Sequence, residues 1–317
     1  MNILITGGAG FIGSHLVDRL MAEGNAVTVV DNLSLGRIEH LEAHRDRAGF
    51  RFVQQDVSDV DALDAVFADA QFDAVFHMAA NSDIAKSHAD PDTDQTNTFR
   101  TTWSVLEAMR RHQVKQIVFA STSAIYGEAP GKIREDHGPL LPISHYGAAK
   151  LASEAFISSY VANYGLRAWM ARFPNVVGDR ATHGAVFDFV GKLGRTPDRL
   201  EVLGNGTQVK PYLHVSDLVD AILLSWKRMS RPVNVFNIGG VTRCTVRRMA
   251  EIVVEEAGGR AEIVYSGGDR GWVGDVPEVD YDIETIRALG WSPRLDSEGA
   301  VRATARWLLS QPTRPAA

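Results

Sequence analysis

Short apolar, β-branched runs alternate with longer stretches of helical periodicity through the first half of the chain. The runs are Ile3–Thr6, Ala26–Val30, Arg51–Gln54, Ala74–His77, Gln116–Ala120 and Ala168–Phe173. Helical patterns fall between them, over Phe11–Glu23, Asp59–Ala68, Asp94–His112 and His145–Tyr164. Near-continuous apolar strands separated by helices predict a parallel sheet covered on both faces. Their repeated alternation predicts a doubly wound α/β fold. Ser58 reads as the N-cap of a helix whose first turn holds Asp59 and Asp61. Gly24 and Gly165 stand where helices should stop. Residues 127–144, rich in Gly, Pro and charge, read as a surface loop.

The pattern is less regular after residue 174. Asn175–Thr182 reads as loop, and Val186–Leu193, His214–Lys227, Thr245–Glu256, Ile283–Leu289 and Ser297–Leu309 as helices. Leu200–Leu203, Val233–Ile238 and Ala261–Tyr265 read as strands. This predicts a smaller, mixed α/β second domain. The expected division is residues 1–174 with about 212–238 in the first domain, and 175–211 with 239–317 in the second.

The charge balance of 33 Lys+Arg against 39 Asp+Glu gives −6. No global positive field attracts polyanions, so nucleic-acid partners are not expected. No apolar stretch approaches a membrane span of about 18 residues, and no basic leader precedes the first apolar run. The only cysteine is Cys244, which excludes an intrachain disulfide and fits a reducing, cytoplasmic setting. Cys244 reads as structural. His40 and His44 are four apart but lack the H-E-x-x-H order, so they read as a solvated helix face, and no metal site is suggested.

Candidate chemistry begins at Thr6-Gly7-Gly8-Ala9-Gly10-Phe11-Ile12-Gly13. The glycines follow a strand and open a helix. They permit a tight turn and close approach to a pyrophosphate, which the helix N-terminus would bind. Asp31 ends the second strand, where a carboxylate can accept both ribose hydroxyls and repel a 2′-phosphate, favouring NAD over NADP. Arg37 nearby weakens that preference, although it reads as a solvated surface residue. Asp56 is placed either to reach the adenine or to cap a helix.

Tyr146 and Lys150 are i, i+4, on one face of a helix. A neighbouring ammonium and a cationic nicotinamide would lower the phenol from its usual pKa of about 10, making Tyr146 a general base. Ser121-Thr122-Ser123 follows the fifth strand, at the sheet end where such folds bind ligands. A hydroxyl there can relay the proton of the reacting oxygen.

Together these segments resemble the extended short-chain dehydrogenase/reductase family. The likeness is closest to its nucleotide-sugar branch, the NAD-dependent epimerase/dehydratases, and within that branch to the UDP-glucose (UDP-galactose) 4-epimerases. It runs over essentially the whole chain. Thr6–Gly13, Asp31-Asn32-Leu33-Ser34, His77-Met78-Ala79-Ala80, Ser121-Thr122-Ser123 and Tyr146-x-x-x-Lys150 match its motifs in order. In the second half, Arg172-Phe173-Pro174-Asn175, Leu203-Gly204-Asn205-Gly206 and Lys210-Pro211-Tyr212-Leu213-His214-Val215 also resemble family segments. Lys210 and Pro211 replace the usual Arg-Asp. Lysine is a point charge rather than a bidentate fork, which loosens the diphosphate clamp.

The resemblance implies a Rossmann domain holding NAD and a second domain holding a UDP-sugar. It implies catalysis by Thr122, Tyr146 and Lys150. Cofactor contacts would come from Gly7, Gly10, Phe11, Ile12, Gly13, Asp31, Asn32, Ser34, Asp56, Val57, Ala79, Ala80, Asn97, Ser121, Tyr146, Lys150 and Phe173. Substrate contacts would come from Thr122, Ser123, Tyr146, Asn175, Val202, Lys210, Arg270 and Val279, with Val279 limiting room for an N-acetyl group. A homodimer through Asp94–His112 and His145–Tyr164 is also implied. Dehydratases of this fold carry Asp-Glu after the catalytic Thr. Ser123 and Ala124 stand there instead, which favours 4-epimerization through a transient 4-keto sugar. Other nucleotide-sugar oxidoreductases, among them uronate or pentose epimerases, decarboxylases and dehydratases, stay open, as does a non-catalytic dinucleotide-binding regulator.

Overall fold

The structure, a computed structural model, describes residues 1–82, 84–268 and 280–311. The chain divides into two compact units. One comprises Met1–Gly127, Gly138–Arg172 and Ile222–Phe236. The other comprises Glu128–His137, Phe173–Ala221 and the residues from Asn237 onward.

The first unit is built on seven strands: β1 (Asn2–Thr6), β2 (Ala26–Asp31), β3 (Phe50–Gln54), β4 (Ala74–His77), β5 (Gln116–Ala120), β6 (Arg167–Arg172) and β7 (Val233–Asn237). Their order is β3-β2-β1-β4-β5-β6-β7. Strands β1 to β6 pair in parallel, with Ile5 facing both Val29 and Phe76. This is the doubly wound sheet that the apolar runs predict. The order reverses between β1 and β4, so the connections leaving their carboxyl ends run to opposite faces, where such folds bind ligands. One face of the sheet is covered by a core containing Leu63, Phe67, Leu106, Met109, Ile157 and Val161, all nearly inaccessible. At about 25 cal/mol per Å² of apolar area removed from water, side chains of this size each contribute about 1.5–3 kcal/mol.

Local signals set the helix ends. Ser144 accepts from the Gly147 amide (3.1 Å) and starts the helix His145–Tyr164, which Gly165 ends in left-handed geometry. The helix Phe11–Ala22 ends just before Gly24, at φ +80°.

Several expectations are corrected. The cap of Val60–Ala68 is Asp59, which accepts from the Ala62 amide, not Ser58. Asp56 does not cap that helix either; its carboxylate instead takes the Ser58 amide (2.8 Å) and hydroxyl (2.7 Å), closing a local turn. The stretch expected as one helix over Asp94–His112 is three pieces: Asp92–Asp94, a π-helical turn at Gln95–Arg100, and Thr101–Arg111. His40 and His44 sit on a 3₁₀ helix, Ile38–His44, rather than on a solvated helix face. His44 is buried and its Nε2 meets Asp18 at 2.6 Å, while His40 Nδ1 meets the Ala9 carbonyl at 2.9 Å. The two segments expected as loops each hold a short strand, Lys132–Ile133 and Asn175–Val177.

The second unit has its own core. The helices Ala185–Arg195, Val246–Glu256 and Ser297–Ser310 bury Phe189, Val190, Met249, Ile252, Val253, Val301 and Leu308. Two parallel strand pairs brace it: Asn175–Val177 with Tyr212–His214, and Arg199–Val202 with Glu262–Tyr265. Cys244 is buried there, and burial pushes its thiol up to about 12, which leaves it inert. No described helix is long and apolar enough to cross a membrane.

Candidate active site

The glycine turn leaves β1 and folds back on itself. A Cβ on Gly13 would lie 2.1 Å from the Gly7 carbonyl oxygen, and one on Gly7, at φ +70°, would lie 2.6 Å from the Ala79 amide. Only glycine fits either place. The turn therefore packs directly on the chain leaving β4, at Met78 and Ala79. The helix starting at Phe11 has Gly10 at its N-cap, with no side-chain cap and no acidic residue in its first turn. Phe11 and Ile12 open that helix and keep part of their surface, as does Gly10. An uncapped, glycine-lined helix N-terminus fits a diphosphate.

Asp31 stands at the end of β2 with Oδ2 accepting from the Ala9 amide (3.0 Å) and Oδ1 from the Leu33 amide (2.8 Å). It ties the glycine turn to β2. Burial pushes its carboxyl up, against the pull of these backbone bonds. Asn32 donates to Asp56 (3.0 Å) and accepts from the Ser34 amide (3.0 Å), joining the ends of β2 and β3 in one exposed patch. Burial raises the Asp56 carboxyl, but the Ser58 and Asn32 bonds outweigh it and hold it below the usual range. The Val57 side chain belongs to the apolar core.

Beneath the turn lies a buried polar chain. Thr6 Oγ1 meets His77 Nδ1 at 2.7 Å, and His77 Nε2 meets Thr102 Oγ1 at 3.1 Å. The Thr102 hydroxyl donates to the Thr98 carbonyl (3.0 Å), so it accepts from Nε2–H, and Nδ1 accepts from Thr6. Burial, with the nearby Lys150 charge, holds His77 down at about 3. It is a neutral strut stacked on Phe119, linking β1 and β4 to the helix Thr101–Arg111.

Tyr146, Lys150 and Thr122 come together at the carboxyl end of β5. Thr122 caps the short helix Ser123–Tyr126, accepting from the Ala124 amide (3.1 Å), and its hydroxyl bonds the Tyr146 phenol. Tyr146 keeps some surface, while burial of its hydroxyl and the charge of Asp94 push the phenol well above its ordinary value. Lys150 is fully buried. Its Nζ donates to the Ala120 carbonyl (2.6 Å) and lies 4.5 Å from the Phe119 ring centroid. Burial pulls the ammonium down to about 7, with Asp94 and Glu154 opposing. Ser121 and Ser123 flank Thr122; Ser121 is inaccessible and Ser123 is half-buried.

Glu154 is a member of this cluster that the sequence reading misses, and Arg172, quoted there only within a family-like segment, is another. Glu154 is one further turn along the helix from Lys150. It accepts from the Ser121 hydroxyl and pairs with Arg172, Nε to Oε1 at 3.0 Å and Nη2 to Oε2 at 2.6 Å. Arg172 also donates to the Tyr126 hydroxyl (2.9 Å). The spacing of Tyr146, Lys150 and Glu154 was the available signal: three polar residues on one helix face.

Asn97 lies half-buried in the π-helical turn. In the second unit, Phe173 is buried, Asn175 is exposed opposite Tyr212, and Lys210 pairs in register with Cys244. The Val202 side chain lies in that unit's core. Arg270 and Val279 lie outside the described residues. Among the described residues no His, Cys, Asp and Glu cluster is arranged to hold a metal ion.

The comparisons with known proteins agree on one family. Residues 3–239 match the NAD dependent epimerase/dehydratase family. A putative UDP-glucose 4-epimerase of Methanocaldococcus jannaschii is 31% identical over 313 residues, covering 96% of this chain and 98% of its own. The UDP-glucose 4-epimerase of Thermotoga maritima, solved with UDP-glucose, is 34% identical at a TM-score of 0.88, over 98% of this chain and 99% of that one. The Thermus thermophilus UDP-glucose 4-epimerase, solved with NAD, is 31% identical at 0.87, with the same coverage. The chain belongs to the NAD dependent epimerase/dehydratase family.

Proposed function

We propose that the protein is an NAD-dependent 4-epimerase of a UDP-hexose, interconverting UDP-glucose and UDP-galactose or their N-acetylated forms. The observation that carries this reading is the cluster of Thr122, Tyr146 and Lys150, with Ala124 beside it. A methyl group at 124 exchanges no proton, so the site lacks the second acid–base residue that eliminating water requires there. The uncapped helix N-terminus and the close-packed glycine turn suit the cofactor's diphosphate. When bound, NAD supplies the reversible hydride acceptor for C4 of the sugar.

The chain's own residues handle the proton and the grip. Tyr146 takes the proton of the 4-hydroxyl, and Thr122 relays it through their shared hydrogen bond. Lys150, held by the Ala120 carbonyl, keeps positive charge beside the phenol so that phenolate can form. The resulting 4-keto sugar turns about its diphosphate linkage and receives the proton back through Tyr146. The first unit would hold NAD through the turn residues, Asp31, Asn32, Ser34, Asp56, Val57, Ala79, Ala80, Asn97 and Ser121, with Phe173 assigned to the cofactor from the resemblance alone. The second would hold the nucleotide sugar through Asn175, Val202 and Lys210, with Arg270 and Val279 from the resemblance alone. The same resemblance supports a cytoplasmic homodimer, and exposed Phe156 and Tyr164 on the helix His145–Tyr164 suit such an interface.

The test is to incubate the purified protein, with no added NAD, with UDP-galactose and separately with UDP-N-acetylgalactosamine, reading products by NMR. The expected product is the 4-epimer of one or both. Unchanged sugars from protein shown to hold NAD would overturn the reading.

Asp31 provides a separate check on the cofactor. Its carboxylate sits where a 2′-phosphate would meet a like charge, and such juxtapositions cost several kcal/mol. Asp31→Ser is expected to raise the ratio of NADP to NAD affinity by about tenfold or more, measured by fluorescence titration. An unchanged ratio would remove Asp31 from the cofactor site.

A further inference from the structure

Asp94 is almost fully buried, at 1% exposure, and its two carboxylate oxygens are treated unequally. Oδ1 accepts from the Thr98 hydroxyl (2.8 Å) and the Asn81 amide (3.2 Å). Oδ2 is buried with no hydrogen bond. A buried carboxylate with a bare oxygen is costly unless a cation lies close, and such groups concentrate at functional sites. Asp94 ends the short helix Asp92–Asp94, just before the π-helical turn, and both pieces pack on the helix His145–Tyr164. π-helical turns are rare and recur at functional sites. From there Asp94 acts electrostatically on both Tyr146 and Lys150.

The charges around Lys150 can be balanced. Tyr146 and Glu154 face it from its own helix, His77 from β4, Asp94 from the short helix packed on that helix, and Arg172 from β6 through Glu154. His77 is neutral. Glu154 already has a full partner in Arg172, at 2.6 Å. Of these groups, among the described residues, Asp94 is left as a carboxylate with no ion-pair partner and Lys150 as a buried ammonium with none.

We propose that Asp94 is a positioning residue for the reaction: its carboxylate is the net counter-charge that keeps Lys150 an ammonium inside the site. This rests on the assignment of Tyr146 and Lys150 to catalysis. It gives Asp94 a double action. Its negative charge favours the Lys150 cation and disfavours the Tyr146 phenolate, so it holds both groups protonated until substrate and cofactor are in place.

Asp94→Asn tests this, because it keeps the shape and the Oδ1 acceptor and removes the charge, placing an amide NH2 where the bare Oδ2 was. The measurement is the pH profile of kcat for the holoenzyme on UDP-galactose, beside wild type and Tyr146→Phe. Loss of the carboxylate lowers the Tyr146 and Lys150 ionisations together. Both limbs are therefore expected to move to lower pH by about one pH unit, the low end for a nearby charge. On the alkaline limb that is about a tenfold loss of kcat. A structural role predicts a lower rate at every pH with the limbs in place, and that result would overturn the proposal. So would a variant that fails to fold or to retain NAD, since the carboxylate would then be structural. Asp94→Ser, which removes the charge without an amide, should shift the limbs the same way; opposite behaviour would also overturn it. Full activity in Tyr146→Phe would instead sink the underlying assignment, which separates the two failures.

Discussion

Tyr146→Phe lowers kcat for 4-epimerization by about 10³-fold, with NAD retained and the fold intact. The substitution removes one oxygen. That oxygen bonds Thr122 and lies on the helix face that carries Lys150. A positioned general acid–base group contributes about 10²–10⁴-fold, and no other described group with a titratable proton shares the Thr122 hydroxyl. Ser121 is committed to Glu154, His77 is a neutral strut between two threonines, and Ala124 carries only a methyl group. Thr122 on its own has too high a pKa to replace the phenol. The ring itself stays, so packing over Lys150 survives and thermal unfolding should be nearly unchanged. A KM within a few-fold of wild type would show that the lost interaction belongs to the transition state. A kcat within threefold of wild type would remove Tyr146 from the chemistry and redirect attention to Lys150, already drawn down to about 7 by burial.

Much of this site was legible in the sequence because its motifs are local. The glycine turn, Asp31, Ser121–Ser123 and the Tyr146–Lys150 pair each follow a strand or ride one helix face, and period-two and period-3.6 patterns locate those directly. What was not legible depends on pairing across distance. His44 looked solvated because nothing near it in sequence announces Asp18, 26 residues earlier. The π-helical turn at Gln95–Arg100 was invisible because one inserted residue barely disturbs an apolar pattern read over several turns. Asp94 and Glu154 were read only as parts of helices, and Arg172 only as part of a strand and of a family-like segment. Each is buried only because its partners come from other elements: Asn81 after β4 for Asp94, and β6 with the end of β5 for Glu154. Charge burial is a property of the assembled sheet, and periodicity carries no information about it.

The Glu154–Arg172 pair should therefore dominate stability as Tyr146 dominates rate. Both side chains are about 6% exposed and bonded at two points. Burial works against the Arg172 charge, but the Glu154 and Tyr126 bonds more than offset it and hold the guanidinium firmly protonated. Glu154→Gln leaves that guanidinium buried without a counter-charge. Breaking a buried pair from one side costs about 3–5 kcal/mol, and urea unfolding should show a loss of that size. Replacing both partners with apolar residues of similar volume is often neutral, so Glu154→Leu/Arg172→Met should recover most of the stability. It should not recover the rate. Glu154 also accepts from the Ser121 hydroxyl, one residue before Thr122, and Lys150 holds the Ala120 carbonyl one residue earlier still. Successive residues of the strand end are thus pinned from one helix face, and the double variant removes one pin. Stability restored with kcat still several-fold low is the expected pattern. A single variant as stable as wild type would show that the pair contributes no net stability, and full recovery of kcat in the double variant would show that Ser121 needs no holding.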